Sequence, residues 1–183
     1  MDISWETSKE QLRQRAKKTL ASLSPEDKKK QSEYVCEKLY EYINTYNNRA
    51  VYLPFSYEPD IFSFVQQLRE QQKVVLLPQL DGDTLRLAYY TRDSIIVQWT
   101  YGEWIIQNPV WYDWPVDVCL IPWLVFDSQW RRIGHGKWWY DRFLATNSCY
   151  RIGLWYKEIM KESIPHDHWD QKMDVIIADN SES

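Results

Sequence analysis

The stretch that decides the fold runs from Leu120 to Asp141 and reads Leu-Ile-Pro-Trp-Leu-Val-Phe-Asp-Ser-Gln-Trp-Arg-Arg-Ile-Gly-His-Gly-Lys-Trp-Trp-Tyr-Asp. A short apolar run that begins at Val118 stops at Pro122, and basic residues and two glycines follow before a helical pattern resumes. This order is typical of a strand, a basic turn and the start of a helix. Backbone N–H groups and cations at such a junction favour a bound anion, most often phosphate. The spacing alone leaves a second interpretation open, a solvated basic loop without a ligand.

The wider pattern predicts the fold class. Three apolar runs, at 50–54, 74–78 and 118–122, each end in a proline, and 60–70 has a helical pattern. Proline cannot donate to a sheet, so it marks the point where a strand leaves it. Alternation of strands and helices predicts an α/β fold, a three-layer α/β/α sandwich with a mostly parallel, Rossmann-like sheet. We expect a single domain over 1–183, with its ligand site beyond the carboxyl ends of the strands, ringed by Pro54, Pro78 and Pro122.

Other segments complete the expected order of elements. Apolar residues spaced four apart predict a helix over 8–22, and Ser24 followed by proline predicts the start of a second helix. Asp81 and Gly82 indicate a hairpin turn. The tryptophans and tyrosines within 91–116 indicate a long loop over the site, and 150–156 is expected to form another strand.

The composition excludes several classes of protein. With 44% hydrophobic and 26% charged residues the chain has an ordinary globular composition, and a net charge of −4 argues against a general nucleic-acid binder. No apolar run approaches the ~20 residues that span a bilayer, and the first residues lack a signal-peptide pattern. Three cysteines lie far apart without the spacing of metal ligands, so buried thiols in a reducing compartment are expected. We therefore expect a cytoplasmic protein that binds small anions.

The order of residues in four places resembles one known family, the 5-formyltetrahydrofolate cyclo-ligases, also called 5,10-methenyltetrahydrofolate synthetases. The central signature is Pro122-x-x-x-Phe126-Asp127 followed by Arg132-Ile133-Gly134-x-Gly136-Lys137-x-x-Tyr140-Asp141-Arg142. The flanking elements are Lys9-x-x-Leu12-Arg13, Tyr52-x-Pro54-x-x-x-Glu58, and Trp169-Asp170-x-x-Met173-Asp174. The resemblance extends over nearly the whole chain, from Lys9 to about Ile177.

The resemblance implies an activity. Members of this family consume ATP and Mg²⁺ to convert 5-formyltetrahydrofolate to 5,10-methenyltetrahydrofolate, with release of ADP and phosphate. The formyl oxygen is phosphorylated, and N10 then closes the ring. On this basis we expect ATP as co-substrate, Mg²⁺ as cofactor, no nucleic-acid or membrane partner, and a monomer.

The resemblance also implies roles for individual residues. Catalytic roles fall to Arg132, Lys137 and Tyr140. ATP contacts fall to Lys9, Arg13, Arg132, Ile133, Gly134, His135, Gly136, Lys137, Trp138, Trp139 and Tyr140. Folate contacts fall to Leu53, Glu58, His135, Gly136, Lys137, Trp138 and Trp139. Asp141 and Asp174 are the implied magnesium ligands. The alternative for 164–174, a zinc site with His166 and His168, lacks a cysteine or a third histidine.

The sequence departs from the family pattern at three positions. Trp123, Trp130 and Trp138 stand where the family has glycine, and the chain holds 11 tryptophans but only 5 glycines, against a usual glycine content of about 7%. Glycine serves where the backbone needs φ > 0 or a close approach to a ligand, and tryptophan does neither cheaply. Two explanations compete: a diverged member that has lost activity, or UGA codons that the cell reads as glycine but that were translated as tryptophan. UGG codons would exclude the second.

Three functions follow from these observations. The first is the ATP-dependent cyclo-ligase. The second is a non-catalytic folate- or nucleotide-binding relative whose glycine loop is blocked by tryptophan. The third is a different α/β enzyme acting on a phosphorylated small molecule, because fold alone fixes no chemistry. Glu58 discriminates among them, since the first two need this carboxylate against the pterin and the third does not.

Overall fold

Four helices cover a twisted sheet in the protein, whose computed structural model describes 5–71, 73–98, 102–134, 136 and 138–179, with only the backbone described for 5–8. The helices are α1 (Trp5–Ser22), α2 (Pro25–Ile43), α3 (Phe62–Glu70) and α4 (Trp139–Thr146). The start of α2 follows local chemistry, because the Ser24 hydroxyl accepts from the Asp27 N–H at 3.0 Å and proline takes the first helical position. The predicted helices at 8–22, after Ser24 and at 60–70 are confirmed with shifted ends.

Twelve strands lie within the described residues. They are β1 (Asn48–Ala50), β2 (Val74–Asp81), β3 (Thr84–Tyr89), β4 (Ile96–Gln98), β5 (Trp104–Ile106), β6 (Trp111–Tyr112), β7 (Val118–Pro122), β8 (Val125–Asp127), β9 (Arg132–Ile133), β10 (Tyr150–Leu154), β11 (Met160–Lys161) and β12 (Val175–Ile177). Seven of them form one sheet in the order β12-β10-β7-β1-β2-β3-β6. The first five in this order run parallel, and β3 and β6 are antiparallel additions at one edge.

The sheet is covered on both faces by apolar side chains. Alternate residues of β7 point to opposite sides, so Cys119 and Ile121 pack with α1 and α4, whereas Val118 and Leu120 pack with α2 and α3. A central strand that is apolar on both faces is the pattern expected of a buried parallel sheet. The predicted three-layer α/β/α sandwich with a mostly parallel sheet is therefore confirmed. The assignment of 1–183 to a single domain stays a prediction.

Three local predictions were wrong in detail. The segment 91–116 is not one long loop, because β4 pairs with β5 and β6 adds to β3. Its dense aromatics hide the alternation from which such short strands are recognised. Of the predicted strand 50–54, Ala50 lies in β1, and Val51 adds one hydrogen bond from its N–H to the Leu76 carbonyl at 2.8 Å. Pro78 lies within β2 rather than at its end. Pairing with β1 stops at Leu76, so beyond that residue β2 has β3 as its neighbour and the absent N–H of Pro78 costs no hydrogen bond to β1.

The cysteines and helices bear on two further expectations. Cys119 is buried, while Cys36 and Cys149 are partly exposed, and all three are free thiols. The expectation that every thiol is buried is therefore confirmed for one of them. Among the helices of the described ranges, none combines the length and the apolar character that a membrane crossing requires.

Candidate active site

The order of the parallel strands places a crevice between β1 and β7. Taken along the chain, the five parallel strands β1, β2, β7, β10 and β12 stand in the spatial order second, first, third, fourth, fifth. Connections leave β1 and β7 toward opposite faces of such a sheet, and ligands collect where the order reverses. The chain runs from β1 into Leu53 and Glu58, and from β7 into Trp123. Both segments that were predicted to bind ligands therefore meet at this point.

A buried carboxylate shapes the loop after β7. Strands β8 and β9 form a hairpin, and fully buried Asp127 stands at its turn. Its Oδ1 accepts the N–H groups of Gln129 and Arg131 at 3.0 Å, and its Oδ2 accepts Arg131 Nε at 2.8 Å and the Ile164 N–H at 3.1 Å. Both oxygens are saturated, which is what a buried carboxylate needs. The predicted basic loop is thus a hairpin whose turn is held by the buried carboxylate of Asp127. The charge of Arg131 is neutralised by its ion pair with Asp127.

The neighbouring guanidinium has a different environment. Arg132 is buried, and its Nη2 donates to Asp141 Oδ1 at 2.6 Å while its Nη1 donates to the Gln171 carbonyl. Its guanidinium lies 4.4 Å from the ring centroid of Trp123, and its Nε is buried without a partner among the described atoms. Burial lowers the pKa of Arg132, and Asp141 opposes that shift. Because arginine starts from so high a pKa, the group remains a fixed cation with a donor to spare.

Helix α1 adds two cations to the same loop. Lys9 Nζ donates to Asp167 at 2.6 Å and to Asp170 at 2.9 Å. Burial alone lowers the pKa of Lys9, but the hydrogen bonds and charges of the two aspartates outweigh it and raise that pKa above its usual value. Arg13 Nε donates to the Gly134 carbonyl at 2.7 Å, and a Cβ at Gly136 would lie only 3.3 Å from its Nη2. The glycine loop and α1 are therefore in contact.

The segment after β1 buries a second carboxylate. Glu58 is 4% exposed, and its Oε2 accepts the Phe55 N–H at 2.9 Å. Burial raises the pKa of Glu58 to about 8, and the single backbone hydrogen bond offsets this only in part. Leu53, also buried, precedes it. Within the described part of the chain, one backbone N–H is the donor recorded for this buried carboxyl.

Tyr140 connects the two halves of the site. Burial raises the pKa of its hydroxyl well above the usual range, and the nearby Cys119 and Glu58 act in the same direction. Its ring meets the indole of Trp123 edge to face at 5.6 Å between centroids. A phenol with so high a pKa stays neutral near pH 7, so it is suited to donate a hydrogen bond and not to act as a base.

The two predicted magnesium ligands lie in unlike surroundings. Asp141 accepts Arg132 and the Gln171 N–H through Oδ1, whereas exposed Asp174 accepts the Arg151 N–H at 2.7 Å through Oδ2. Gln171 links them, because Arg151 Nη1 donates to its side-chain oxygen at 3.2 Å. Within the described part of the chain no cluster of three or more His, Cys, Asp or Glu is suited to a metal. Two carboxylates completed by water and phosphate still match the preference of Mg²⁺.

The remaining predicted residues divide into three groups. His135 and Lys137 lie outside the described residues. Ile133 is buried in the core, so its side chain supports the loop rather than facing a ligand. Trp138 and Trp139 begin α4, with Trp138 55% exposed and Trp139 partly exposed.

Sequence reasoning did not assign several residues that complete the site. Asp127, Asp167, Asp170 and Gln171 organise the cations through the bonds above, although three of them fall inside quoted motifs or beside them. Asp167 and Asp170 could be seen in the sequence as acids close to the histidines of 164–174. The zinc alternative for that segment drew attention to the histidines instead. His166 instead packs its ring nitrogens against Arg131 Nη1 at 2.9 and 3.2 Å, and His168 packs on Trp169.

The three unusual tryptophans have unusual environments. Trp130 and Trp138 have φ of 63° and 53°, in the left-handed region that side chains with a Cβ rarely adopt. The Trp123 indole lies so close to Gly134 that a Cβ there would be 1.1 Å from its Cζ3 atom. Trp123 Nε1 is buried and has no partner among the described atoms. The backbone expected of glycine is therefore seen at 130 and 138, and a close contact at 123, while the expected intrusion of Trp138 on a ligand stays a prediction.

The fold and the site together define a class: a doubly wound α/β protein with fixed cations and a glycine loop at the switch point of its sheet. Comparison with known proteins supplies the particular family. The sequence model of the 5-formyltetrahydrofolate cyclo-ligase family matches residues 5–179, and the chain belongs to that family. The cyclo-ligase class of enzyme predicted from the sequence is confirmed.

Individual relatives agree. A probable 5-formyltetrahydrofolate cyclo-ligase of Caenorhabditis elegans is 30% identical, over 92% of this chain and 91% of the relative. The 5-formyltetrahydrofolate cyclo-ligase of Mus musculus is 26% identical, over 96% and 95%. The solved structure of Aquifex aeolicus 5,10-methenyltetrahydrofolate synthetase superposes with a TM-score of 0.81 at 26% identity, covering 92% of this chain and 88% of that one.

Removing the charge of Asp127 should destabilise the protein. Asp127→Asn leaves the buried Arg131 cation uncompensated, so the free energy of unfolding should fall by about 3–5 kcal/mol. Urea denaturation measures it. The matched control is Asp113→Asn, which breaks the exposed ion pair with Arg86 and should leave the midpoint unchanged. Equal effects at both positions would contradict the role of the clamp.

Replacing Glu58 should change how stability depends on pH. With a folded-state pKa of about 8 against 4.5, folded Glu58 binds its proton more tightly than the unfolded chain does. Its contribution to stability is therefore full below 4.5 and is lost as the pH rises through 8. Glu58→Gln should gain stability over the parent with rising pH, on the order of 4 kcal/mol by pH 8. Denaturation at several pH values measures this, with Glu70→Gln at the exposed end of α3 as control. A constant difference would refute the burial of the charge.

Proposed function

We propose that the protein converts 5-formyltetrahydrofolate to 5,10-methenyltetrahydrofolate with consumption of ATP and Mg²⁺. One observation carries the proposal within this family. The buried acceptor Glu58 after β1 and the cations Arg132, Lys9 and Arg13 around the glycine loop converge on the switch point between β1 and β7. A substrate with a donor-rich ring and a co-substrate with phosphates require these two halves side by side.

The reaction needs both ligands in contact. A formamide oxygen is a poor leaving group, so it attacks the γ-phosphorus of ATP and ADP leaves. N10 then attacks the activated formyl carbon, and the phosphorylated oxygen departs as inorganic phosphate while the ring closes. Phosphoryl transfer depends on positioning and on neutralised charge more than on a protein nucleophile. In this proposal, the cations and the backbone N–H groups of the glycine loop position the phosphates and neutralise their charge.

Glu58 supports binding of the pterin. An ionised carboxylate accepts two parallel N–H bonds, and the 2-amino-4-oxo edge of the pterin presents such a pair. The free protein holds this carboxyl at a raised pKa because burial is opposed by one N–H only. Two donors from the pterin would satisfy the carboxylate and favour its ionised form.

The cations support binding of the phosphates. Lys9 has three N–H donors, and Asp167 and Asp170 take two of them. Among the described atoms Arg132 Nε has no partner, and Arg13 Nη2 lies beside Gly136, 3.3 Å from where a Cβ would stand. These remaining donors surround the glycine loop, so phosphate oxygens there would be neutralised without new conformations of long side chains. Lys137 belongs to this proposal by its position in the signature.

The magnesium assignment rests on the donor set. Asp141 and Asp174 each use one carboxylate oxygen in the bonds described, which leaves the other for a hard cation. When bound there, Mg²⁺ would neutralise charge on the phosphates. The hydrogen bond from Arg132 Nη2 fixes the position of the Asp141 carboxylate. A cytoplasmic location and a monomeric state remain part of this proposal.

A second candidate function is the non-catalytic relative, and the indole of Trp123 favours it. That ring fills the space between Arg132, Gly134 and Tyr140 where ligand atoms belong. A protein of this kind would bind 5-formyltetrahydrofolate without consuming ATP.

The absorbance of the methenyl product tests the proposal. Protein, 5-formyltetrahydrofolate, Mg²⁺ and ATP are mixed with the chain as written and with a chain carrying Trp123→Gly, Trp130→Gly and Trp138→Gly. Turnover by either chain supports the proposal, and Glu58→Gln should then raise KM at least tenfold, while Glu70→Gln leaves it unchanged. Substrate binding without turnover in both folded chains would establish the second candidate. Absence of binding in both would overturn the first and second functions together.

Binding should also release a proton. At pH 7 the free Glu58 carboxyl, with its pKa at about 8, is mostly protonated, whereas the pterin-bound form is a carboxylate. Calorimetric titration with 5-formyltetrahydrofolate in two buffers of different ionisation enthalpy measures the released fraction. Glu58→Gln should abolish the difference between buffers. A parent protein that binds with no buffer dependence would exclude the role given to Glu58.

A further inference from the structure

We infer that the protein made in its own cell carries glycine, not tryptophan, at positions 123, 130 and 138, and that these three codons are UGA read as glycine. The inference does not rest on the proposed reaction. It follows from the backbone and packing at the three positions, each of which has the properties of a glycine site.

Position 130 lies in a turn that requires a left-handed residue. The loop of the β8–β9 hairpin is closed by hydrogen bonds from the Trp130 N–H to the Asp127 carbonyl at 3.0 Å and from the Asp127 N–H to the Arg131 carbonyl at 3.1 Å. Three loop residues remain, with the third at φ 63°. Such three-residue hairpins place glycine at this third position, because it closes the turn in the left-handed region.

Position 138 precedes α4 and has the same backbone. Trp138 has φ 53° and ψ 10°, and its side chain makes no capping hydrogen bond. Residues that normally occupy this position either cap with a side-chain oxygen or are glycine. An indole does neither, and it stands 55% exposed beside Trp169.

Tryptophan differs from Asn108, which also has a left-handed backbone. Among the described residues, Asn108 is the third residue other than glycine with positive φ. Asparagine tolerates that region because its short polar side chain bonds locally, whereas a bulky aromatic there is an outlier. Two of these three residues are tryptophan, and the chain has 11 tryptophans but only 5 glycines. Both facts indicate that tryptophan stands where glycine belongs.

Position 123 is a glycine site for a different reason. The indole of Trp123 presses on Gly134, lies against Arg132 and Tyr140, and buries an N–H without an acceptor among the described atoms. Burial of an unpaired donor is unfavourable, and glycine would remove this cost together with the close contact on Gly134. Glycine at 123 would empty the space at the carboxyl end of β7 and open the crevice to a flat ligand ring.

Peptide sequencing of the protein purified from its own cells tests the inference directly. Trypsin should release 93–131, which reports on positions 123 and 130, and 138–142, which reports on position 138. Tandem mass spectrometry should show glycine at all three. Peptide 162–172 contains Trp169, which has no left-handed backbone, and serves as the control that tryptophan is detected. Tryptophan at 130 or 138 in the natural protein, or UGG at those codons, overturns the inference.

Recombinant variants test the physical argument separately. At 130 and 138, substitution by glycine should give a melting temperature about 2–4 °C above substitution by alanine, because both remove the indole and only glycine relieves the left-handed backbone. Trp169, at 45% exposure against 46% for Trp130, is the matched control, and there alanine should exceed glycine. The same order at 130, 138 and 169 would refute the argument. Because melting needs no substrate, this result stands apart from the outcome of the enzymatic assay.

Discussion

A saturated carboxylate inside the β8–β9 hairpin is the interaction on which the site depends. Asp127 accepts four hydrogen bonds, three from Gln129 and Arg131 across its own turn and one from Ile164 on a distant loop. These bonds fix where the chain reverses after β7, and therefore where Arg132 enters the core beside Trp123. They also tie the C-terminal loop to the hairpin, which brings Asp167 and Asp170 to Lys9. The positions of the cations around the glycine loop thus follow from one buried carboxylate in the neighbouring hairpin.

The site balances charge before any ligand arrives. Arg132 is matched by Asp141, Lys9 by two aspartates, and Glu58 by a backbone N–H and a raised pKa. Burial makes each pairing matter, since an uncompensated buried ion is far costlier than a broken surface pair. Each of these groups is therefore paired with another part of the protein or, for Glu58, held closer to its neutral form. This is how a strongly polar site stays compatible with the core around it.

The tryptophans at 123, 130 and 138 conflict with the backbone and the packing around them. Two of them hold backbone conformations suited to glycine, and the third fills the crevice that the strand order creates. Sequences that fold well agree in local preference, packing and polar satisfaction. Here local preference fails at positions 130 and 138, and packing and polar satisfaction fail at position 123, while the strands, helices and ion pairs around them agree with one another. The conflict is therefore in the identity of these residues and not in the fold.

The sequence by itself determined the layers, the order of the main elements and the family signature, because apolar period, proline and capping residues act over short distances. It also indicated the three glycine positions from composition and pattern. Only the tertiary structure decided that 91–116 contains strands, that Pro78 stays inside β2, and that Asp127, Asp167 and Asp170 hold the cations. Those outcomes depend on pairing between residues far apart in the chain, such as Lys9 with Asp167, and on burial that raises the pKa of Glu58. Neither long-range pairing nor burial has a local signature, since both arise only when the whole chain is folded.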